Sequence, residues 1–449
     1  MPIGLEIHIQ LNTETKLFCP CKIDPNAEPN TNVCEICLGY PGAKPRLNKK
    51  ALELATKIAK ALNCKINKKI LFSRKVYFYP DLPKNYQITQ YSNVLGENGY
   101  IDLGNKKIRI REIHIEEDPA KIVEHKEGYI LLDFNRSGTP LVEIVTEPDF
   151  ENADEVKAFF KKLLAILDYL DAFDPEKGII KADVNVSIPG GERVEVKNVT
   201  GLKNIEQAII YELTRQKEIV KAGGKIKRET RHFIEKSKKT IPARAKEYEE
   251  DYGYIFDNDL PYYEVPDVEL PIMPWDLEKE LINLGVQKNL AEAIAYYSKK
   301  HAFLFLNIAK ENKEIANELA KWYQVFFETE ADIKTVEKLK DEFIEAVKLY
   351  LNGYLNNQGI RKSIKEGIKE GSILKAVERY KIVYPSDEEI LRIIKQNGKA
   401  IYDYLNGKKQ AINALLGSVM KAYHSRVDPK WVLNKIQELI NKYYNKSNG

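Results

Sequence analysis

The segment from Asp133 to Asp149, Asp-Phe-Asn-Arg-Ser-Gly-Thr-Pro-Leu-Val-Glu-Ile-Val-Thr-Glu-Pro-Asp, allows few local structures. Asn135 to Pro140 is turn chemistry, because Gly138 and Pro140 break both a helix and a central strand. Leu141 to Val145 is an apolar strand with a carboxylate at its centre. Period two puts Leu141, Glu143 and Val145 on one face and Val142 and Ile144 on the other. Glu143 thus sits among aliphatics on a strand that reads as buried on both faces. An unpaired buried carboxylate is costly, so a metal, a cation or a donor network must hold it. A structural ion pair meets that requirement as well as a functional site does.

Other strands offer it company. Gly4 to Leu11 alternates strictly, with Leu5, Ile7, Ile9 and Leu11 on one face and Glu6, His8 and Gln10 on the other. In Arg111 to Asp118, Glu112, His114, Glu116 and Asp118 share a face. Glu117 falls with Ile113 and Ile115, where an acid needs a reason to be. Lys181 to Ile188 puts Asp183, Asn185 and Ser187 together. Val194 to Asn198 is its expected partner across the turn Pro189–Glu192, which brings Lys197 near Asp183. Glu6, His8, Glu117, Glu143, Asp183 and Lys197 then form one constellation of the kind magnesium and a polyphosphate require. The chain has neither GxxxxGK(S/T) nor GxGxxG. If ATP is used, its phosphates are held by carboxylate-bound magnesium and lysine. Ser73 to Gln90 crowds Tyr, Phe, Arg, Lys and Pro into a segment that reads as loop, where packing and base stacking are both open.

Four of the five cysteines, Cys19, Cys21, Cys34 and Cys37, are spaced C-x-C and C-x-x-C. Without a secretory signal pattern this reads as a closed, structural zinc site and not as disulfides. Cys64 stands alone and reads as core. At 449 residues, 43% hydrophobic and 30% charged, the chain is expected to form two or three globular domains. No apolar run approaches a membrane span, which with the absent signal pattern argues for the cytoplasm. Pro261, Pro266, Pro271 and Pro274 mark a linker, and helical periodicity follows over Asn317–Glu328, Thr335–Leu351 and Ile360–Lys365. Ser386–Glu389 has the capping-box arrangement. From Ile401 onward, eight Lys/Arg face three acids, a net of +5, although the whole chain carries only +4. Lys408, Lys409 and Lys421 are the candidates there for nucleic-acid phosphate contacts, against the plainer reading of a solvated helix face.

The run Asp133–Asp149 resembles the hallmark of the B subunits of the tRNA-dependent amidotransferases. Gly4–His8, Asn30–Val33, Gly39–Gly42, Tyr77–Asp81, Tyr86–Gln90, Glu97–Ile101, Glu116–Asp118, Glu195–Asn198 and Glu229–Arg231 support it in order along nearly the whole chain. The resemblance implies an α+β fold. A mixed/antiparallel-sheet cradle with a zinc element is expected over 1–265, a linker over 266–274, an all-α helical domain over 275–384 and a helical tRNA-binding tail over 385–449. It also implies a kinase activity: with ATP and Mg2+, the side-chain carboxylate of Glu-tRNA(Gln) or Asp-tRNA(Asn) is phosphorylated. Ammonia from the A (glutaminase/amidase) subunit then displaces phosphate, and the C subunit completes the complex.

Glu6, His8, Glu117, Glu143 and Asp183 would line that site, with Glu6, Glu117 and Glu143 on magnesium and Lys197 on phosphate. Lys75, Asn135, Arg136, Asn185 and Asn198 are assigned to nucleotide contact, and the cysteines match the zinc-binding version of the family. One run departs from the family: Asp251–Pro261 carries Gly253 where an arginine is usual. Two other readings stay open, an independent small-molecule carboxylate kinase or ligase and a non-catalytic tRNA scaffold. The basic tail weighs against the first, and the acids among aliphatics against the second.

Overall fold

The computed structural model describes residues 2–124, 127–243, 252–424 and 426–444. Asp251 of the departing run and Lys446 of the basic tail lie outside the described residues. The chain divides into two compact units, Met1–Pro274 and Trp275–Gly449.

The strands of the first unit, in chain order, are β1 Ile3–Gln10, β2 Lys65–Ile66, β3 Lys69–Ile70, β4 Ser73–Val76, β5 Tyr86–Thr89, β6 Gly96–Asp102, β7 Lys107–Glu117, β8 Lys121–Glu124, β9 Ile130–Asp133, β10 Pro140–Thr146, β11 Ile180–Val186, β12 Val194–Thr200, β13 Glu229–Ile234, β14 Lys239–Pro242, β15 Gly253–Phe256 and β16 Tyr263–Glu264. Nine of them form one mixed sheet in the order β14-β13-β12-β11-β1-β10-β7-β6-β2. Its pairings are antiparallel except β12 with β13, which is parallel.

The alternation of β1 explains its central place. Ile3, Leu5, Ile7 and Ile9 are buried, as are Ile113 and Ile115 of β7, Val142 and Ile144 of β10, and Ala182, Val184 and Val186 of β11. Helices α1 Lys49–Ala61, α2 Ala153–Tyr169 and α3 Leu202–Lys221 pack against this sheet. Each fully buried Ile or Val contributes about 1.5–3 kcal/mol, so a one-residue slip that exposed this face would cost far more than one ladder bond. Asn48 caps α1 by accepting from Lys50 N, and Asn152 caps α2 by accepting from Glu155 N. A buried ion network holds α3 to the sheet edge. Glu212 accepts from Arg215 and Gln216, meets Arg231 Nε at 3.1 Å and takes the Thr240 hydroxyl.

The segment Ser73–Gln90, expected as loop, holds strands β4 and β5. They pair with each other and, through β4, with β15. Local patterning hides this because the partner strand is so distant: Arg74 meets Asp257, 183 residues on, through two bonds of 3.0 Å. The proline-rich stretch is also fastened to the first unit. β16 pairs with β3, Val265 N donates to Lys68 O at 2.9 Å, and Lys60 donates to the Val268 carbonyl.

The second unit is helical: α4 Pro274–Asn283, α5 Lys288–Ala295, α6 Lys299–Glu311, α7 Ala316–Glu328, α8 Ile333–Leu351, α9 Asn357–Glu370, α10 Ile373–Tyr380, α11 Asp387–Lys395, α12 Gly398–Leu405, α13 Ile412–Ala422 and α14 Pro429–Tyr444. The last four share a core that includes Ile390, Ile394, Leu415, Val419, Ile436 and Leu439. Ser386 and Glu389 form the expected capping box on α11. Among the described residues, no helix is long and apolar enough to cross a membrane.

Candidate active site

Register puts the polar side chains of the central strands in rows. His8 of β1 stands opposite Glu143 of β10, and Glu143 opposite His114 of β7. Residues directly opposite in antiparallel strands share a face, so the three project together. His8 Nε2 lies 3.5 Å from Glu116 Oε1 and 3.7 Å from Glu143 Oε1. His114 Nδ1 lies 3.6 Å from Glu143 Oε2. One row along, Glu6 stands opposite Asp183 of β11, and Glu195 of β12 joins them. His8, Glu116 and Glu143 form one group, and Glu6, Asp183 and Glu195 another; within each, ligand atoms lie within 4.8 Å of one another.

A β-bulge aims Asp183. The β11–β12 register shifts between Ala182 and Val184. Asn198 takes φ +54°, and its N–H donates to Asp183 Oδ1 at 2.6 Å. Asparagine tolerates this left-handed backbone better than most residues do. Asn185 Nδ2 donates to Glu6 Oε1 at 3.2 Å. Thr230 Oγ1 donates to Glu195 Oε2 at 3.3 Å, and Lys197 Nζ lies 3.9 Å from the same oxygen.

The electrostatics follow from this crowding. Burial, then the charges of Glu143, Asp183 and Glu195, push the Glu6 carboxyl up to about 7. Burial and then Glu143 also raise Glu116. For His8, burial acts downward, but Glu143 and Glu116 outweigh it and the shift is upward. Like charges held this closely favour protonation or a bound cation. One buried acceptor also lacks a donor: Asn185 Oδ1 has no hydrogen-bond partner among the described residues. The three carboxylates of Glu6, Asp183 and Glu195 form a hard donor set suited to Mg2+ or Ca2+, and the imidazole-containing group suits a divalent ion as well.

Lys75 borders this cluster. Burial lowers its pKa, but Tyr254, Glu116, Glu143 and Tyr252 together outweigh that and the shift is upward. Its Nζ sits 4.5 Å from the Tyr252 ring centroid.

Glu117 does not join either group. Its side chain, 6% exposed, pairs with Lys84 and accepts from Ile88 N at 2.9 Å. The neighbouring Glu116 meets His8 and Glu143 instead. Strand parity already puts Glu116 and His114 on the polar face. Glu117 attracts notice in the sequence as an acid among aliphatics that needs a partner, and Lys84 is that partner. Glu195 belongs to the site without standing out in the sequence; its alternation with Lys197 is the signal that could have found it. Asn135 and Arg136 spend their polar groups on the fold. Asn135 accepts from Asn32 N at 2.8 Å and donates to Glu28 O at 2.7 Å, while Arg136 donates to Pro119 O at 3.1 Å and Ala120 O at 3.0 Å.

The four cysteine sulfurs lie within 4.8 Å of one another, a grouping compatible with structural zinc. Hydrogen bonding from Cys19 holds the Cys37 thiol well below its ordinary value, whereas burial pushes Cys21 up. Lys16, fully buried, donates to Cys37 Sγ at 3.4 Å and Phe134 O at 3.2 Å. Gly138, at φ +88°, packs where a Cβ would meet Lys16 Cδ at 3.4 Å, so the turn of the hallmark segment rests on the cysteine group. In the second unit Lys408, Lys409 and Lys421 are exposed, and Lys408 pairs with Asp403 at 3.0 Å.

Residues 1–270 match the family model of the GatB/GatE catalytic domain, and residues 304–440 match the GatB domain. The chain is 39% identical over 470 residues to the B subunit of the aspartyl/glutamyl-tRNA(Asn/Gln) amidotransferase of Methanospirillum hungatei, covering 98% of each. It is 40% identical over 472 residues to the B subunit from Saccharolobus solfataricus, with 98% of this chain and 99% of that one covered. With the B subunit from Thermus thermophilus it shares 37% over 463 residues, 98% of each. With both domain models matched and this identity sustained along nearly its whole length, the chain belongs to the B-subunit family of the aspartyl/glutamyl-tRNA(Asn/Gln) amidotransferases, ligase-type enzymes.

Proposed function

We propose that this chain is the activating and tRNA-binding component of a tRNA-dependent amidotransferase. It would act with the A (glutaminase) and C subunits on Glu-tRNA(Gln), Asp-tRNA(Asn) or both. The observation that carries the proposal is the convergence of five strands on two adjacent acidic groups, His8/Glu116/Glu143 and Glu6/Asp183/Glu195, with Lys75 and Lys197 beside them. A binding scaffold gains nothing from acids held so close together, whereas transfer of a phosphoryl group needs cations beside its oxygens.

The chemistry has two steps. Ammonia and a free carboxylate give a salt, so an oxygen of the carboxylate must first become a leaving group. The side-chain carboxylate oxygen of the misacylated residue attacks the γ-phosphorus of ATP, and ADP departs. Ammonia then adds to the activated carbonyl carbon, inorganic phosphate leaves, and a proton is lost to give the amide. Glu6, Asp183 and Glu195 would hold one Mg2+, with Asn185 donating to Glu6, and His8, Glu116 and Glu143 would hold a second; the ions would supply charge neutralisation at the phosphate oxygens. Lys75 and Lys197 add positive charge at the rim. The cysteine quartet would hold a structural Zn2+ that fixes the turn before β10. Residues 1–265 form the cradle in this reading. After the linker 266–274, the helices of 275–384 lead to a tRNA-contacting tail over 385–449, with Lys408, Lys409 and Lys421 on phosphates.

Glu143→Gln in the assembled complex tests this. ATP-dependent phosphorylation of Glu-tRNA should be lost while tRNA affinity stays within about twofold, and unchanged ATP cleavage would overturn the assignment. Amidation assays on purified Glu-tRNA(Gln) and Asp-tRNA(Asn) would identify the substrate.

A further inference from the structure

Lys16 is fully buried. A lysine is almost never so unless an anion meets its ammonium. Neither acceptor of its Nζ is a carboxylate: it donates to Cys37 Sγ at 3.4 Å and to the Phe134 carbonyl at 3.2 Å. The anion it meets is therefore sulfur. A side chain placed there for packing alone would be apolar, because an apolar one needs no acceptors.

The cysteine group supplies the reason for a charge. Its four sulfurs lie within 4.8 Å of one another. Four thiolates around a divalent ion carry a net charge of about −2, which a buried setting must offset with donors or a cation. The Cys34 N–H donates to Cys37 Sγ at 3.2 Å, and Lys16 adds a second donor together with the positive charge. The dependence runs both ways. Thiols without a metal are neutral, and Lys16 is then a buried ammonium with no anion.

Lys16 also reaches the strands that carry the acidic face. Phe134 and Gly138 belong to the turn ahead of β10. The Leu17 N–H donates to Gly138 O at 2.8 Å, so two successive residues hold two points of that turn. The turn is in turn bonded to the end of β7. Gly138 N donates to Asp118 O at 2.9 Å, and Asp118 N donates to Thr139 O at 2.8 Å. Asp118 follows closely on Glu116 of β7, and β10 starts at Pro140, just ahead of Glu143. From the cysteines to Glu116 and Glu143, the connection is a short run of hydrogen bonds through one lysine.

We infer that Lys16 is a positioning residue: it is the counter-ion of the cysteine-bound metal, and through it metal occupancy sets the placement of Glu116 and Glu143. The inference rests on the structural zinc and the activating role proposed above.

The test uses the full chain assembled with its partner subunits. Lys16→Met keeps the stem and removes the charge. Its Zn2+, released to a chromogenic chelator, should leave about tenfold faster than from the wild type. Hydrogen exchange reads the turn. Stripping zinc from the wild type should speed exchange of the Ser137 and Gly138 amides about tenfold while 387–395 stay unchanged. In Lys16→Met these amides should exchange alike with and without zinc. Mg2+ titration reads the acidic face: zinc-stripped wild type and zinc-loaded Lys16→Met should each bind Mg2+ about threefold more weakly, and the two changes together no more weakly than either. Zinc release by Lys16→Met within about twofold of the wild type overturns the counter-ion role. Turn amides or Mg2+ affinity indifferent to zinc overturn the coupling; both are read on the wild type, so they decide it even where Lys16→Met does not fold. Protein purified without chelator that holds no zinc removes the metal and this inference with it. A Glu143→Gln complex that cleaves ATP normally removes the activating role and leaves the zinc-release and exchange results standing.

Discussion

Glu6→Gln removes one titrating group from the acidic face and should change how protons compete with magnesium. Glu6 has Glu143, Asp183, Glu195 and His8 as charged neighbours, and burial with the first three holds its carboxyl at about 7 instead of 4.5. A divalent cation binds only the ionised form. With that pKa, the proton-competition factor is roughly 11 at pH 6, 2 at pH 7 and 1.1 at pH 8. Apparent Mg2+ affinity should therefore fall about tenfold, or about 1.4 kcal/mol, from pH 8 to pH 6, and about half a proton should leave Glu6 per ion bound at pH 7. Calorimetric titration of Mg2+ in two buffers of different ionisation enthalpy measures this release. His8 and Glu116 add protons of their own, so the quantity that matters is the difference between wild type and Glu6→Gln. Stability of the metal-free protein gives the sign independently. Between about pH 4.5 and 7 folded Glu6 keeps a proton that the unfolded chain has lost, so stability falls as pH rises through that window, and the variant should flatten the fall. Equal proton release by the two proteins at pH 7 would refute the reasoning.

Glu212→Ala leaves Arg215 and Arg231 without their shared buried carboxylate and should cost about 3–5 kcal/mol, seen as a lowered thermal transition and faster amide exchange in α3. Ser386→Ala breaks the capping box and should reduce protection of 387–395 in hydrogen exchange by about 1 kcal/mol, with no change in the first unit. Cys37→Ser should lower bound zinc well below one ion per chain in metal analysis after purification without chelator. Replacing Lys408, Lys409 and Lys421 with Ala should weaken tRNA binding at every sequence and reduce the salt slope by about one unit for each phosphate no longer neutralised.

The hallmark segment shows how far local reasoning reaches. Alternation places Leu141, Glu143 and Val145 on one face of β10, and the same rule puts Glu6 with His8 and Glu116 with His114. Parity is set by pleating, which is a property of each residue and its neighbours in the chain. The capping box at Ser386, the cysteine spacing and the helical periodicities are legible for the same reason: each is settled within a few residues. The family motifs add to this, because they are long and run in order.

Which strands meet is not legible locally. Asn185 and Glu6 touch although 179 residues separate them. That pairing is set by burial of the shared apolar face and by the order β11-β1-β10-β7. The choice between Glu116 and Glu117 is likewise tertiary. Both are buried acids on one strand, and only the arrival of Lys84 under one and of His8 and Glu143 beside the other separates their roles. Strands β4 and β5 escape local reading because β15, which completes their sheet, lies far along the sequence. Strand faces, helix caps, the cysteine cluster and the family are thus written in the chain itself. Register is not, and register is what brings the two acidic groups onto one face, because hydrogen-bonded strand pairing depends on partners that no local window contains.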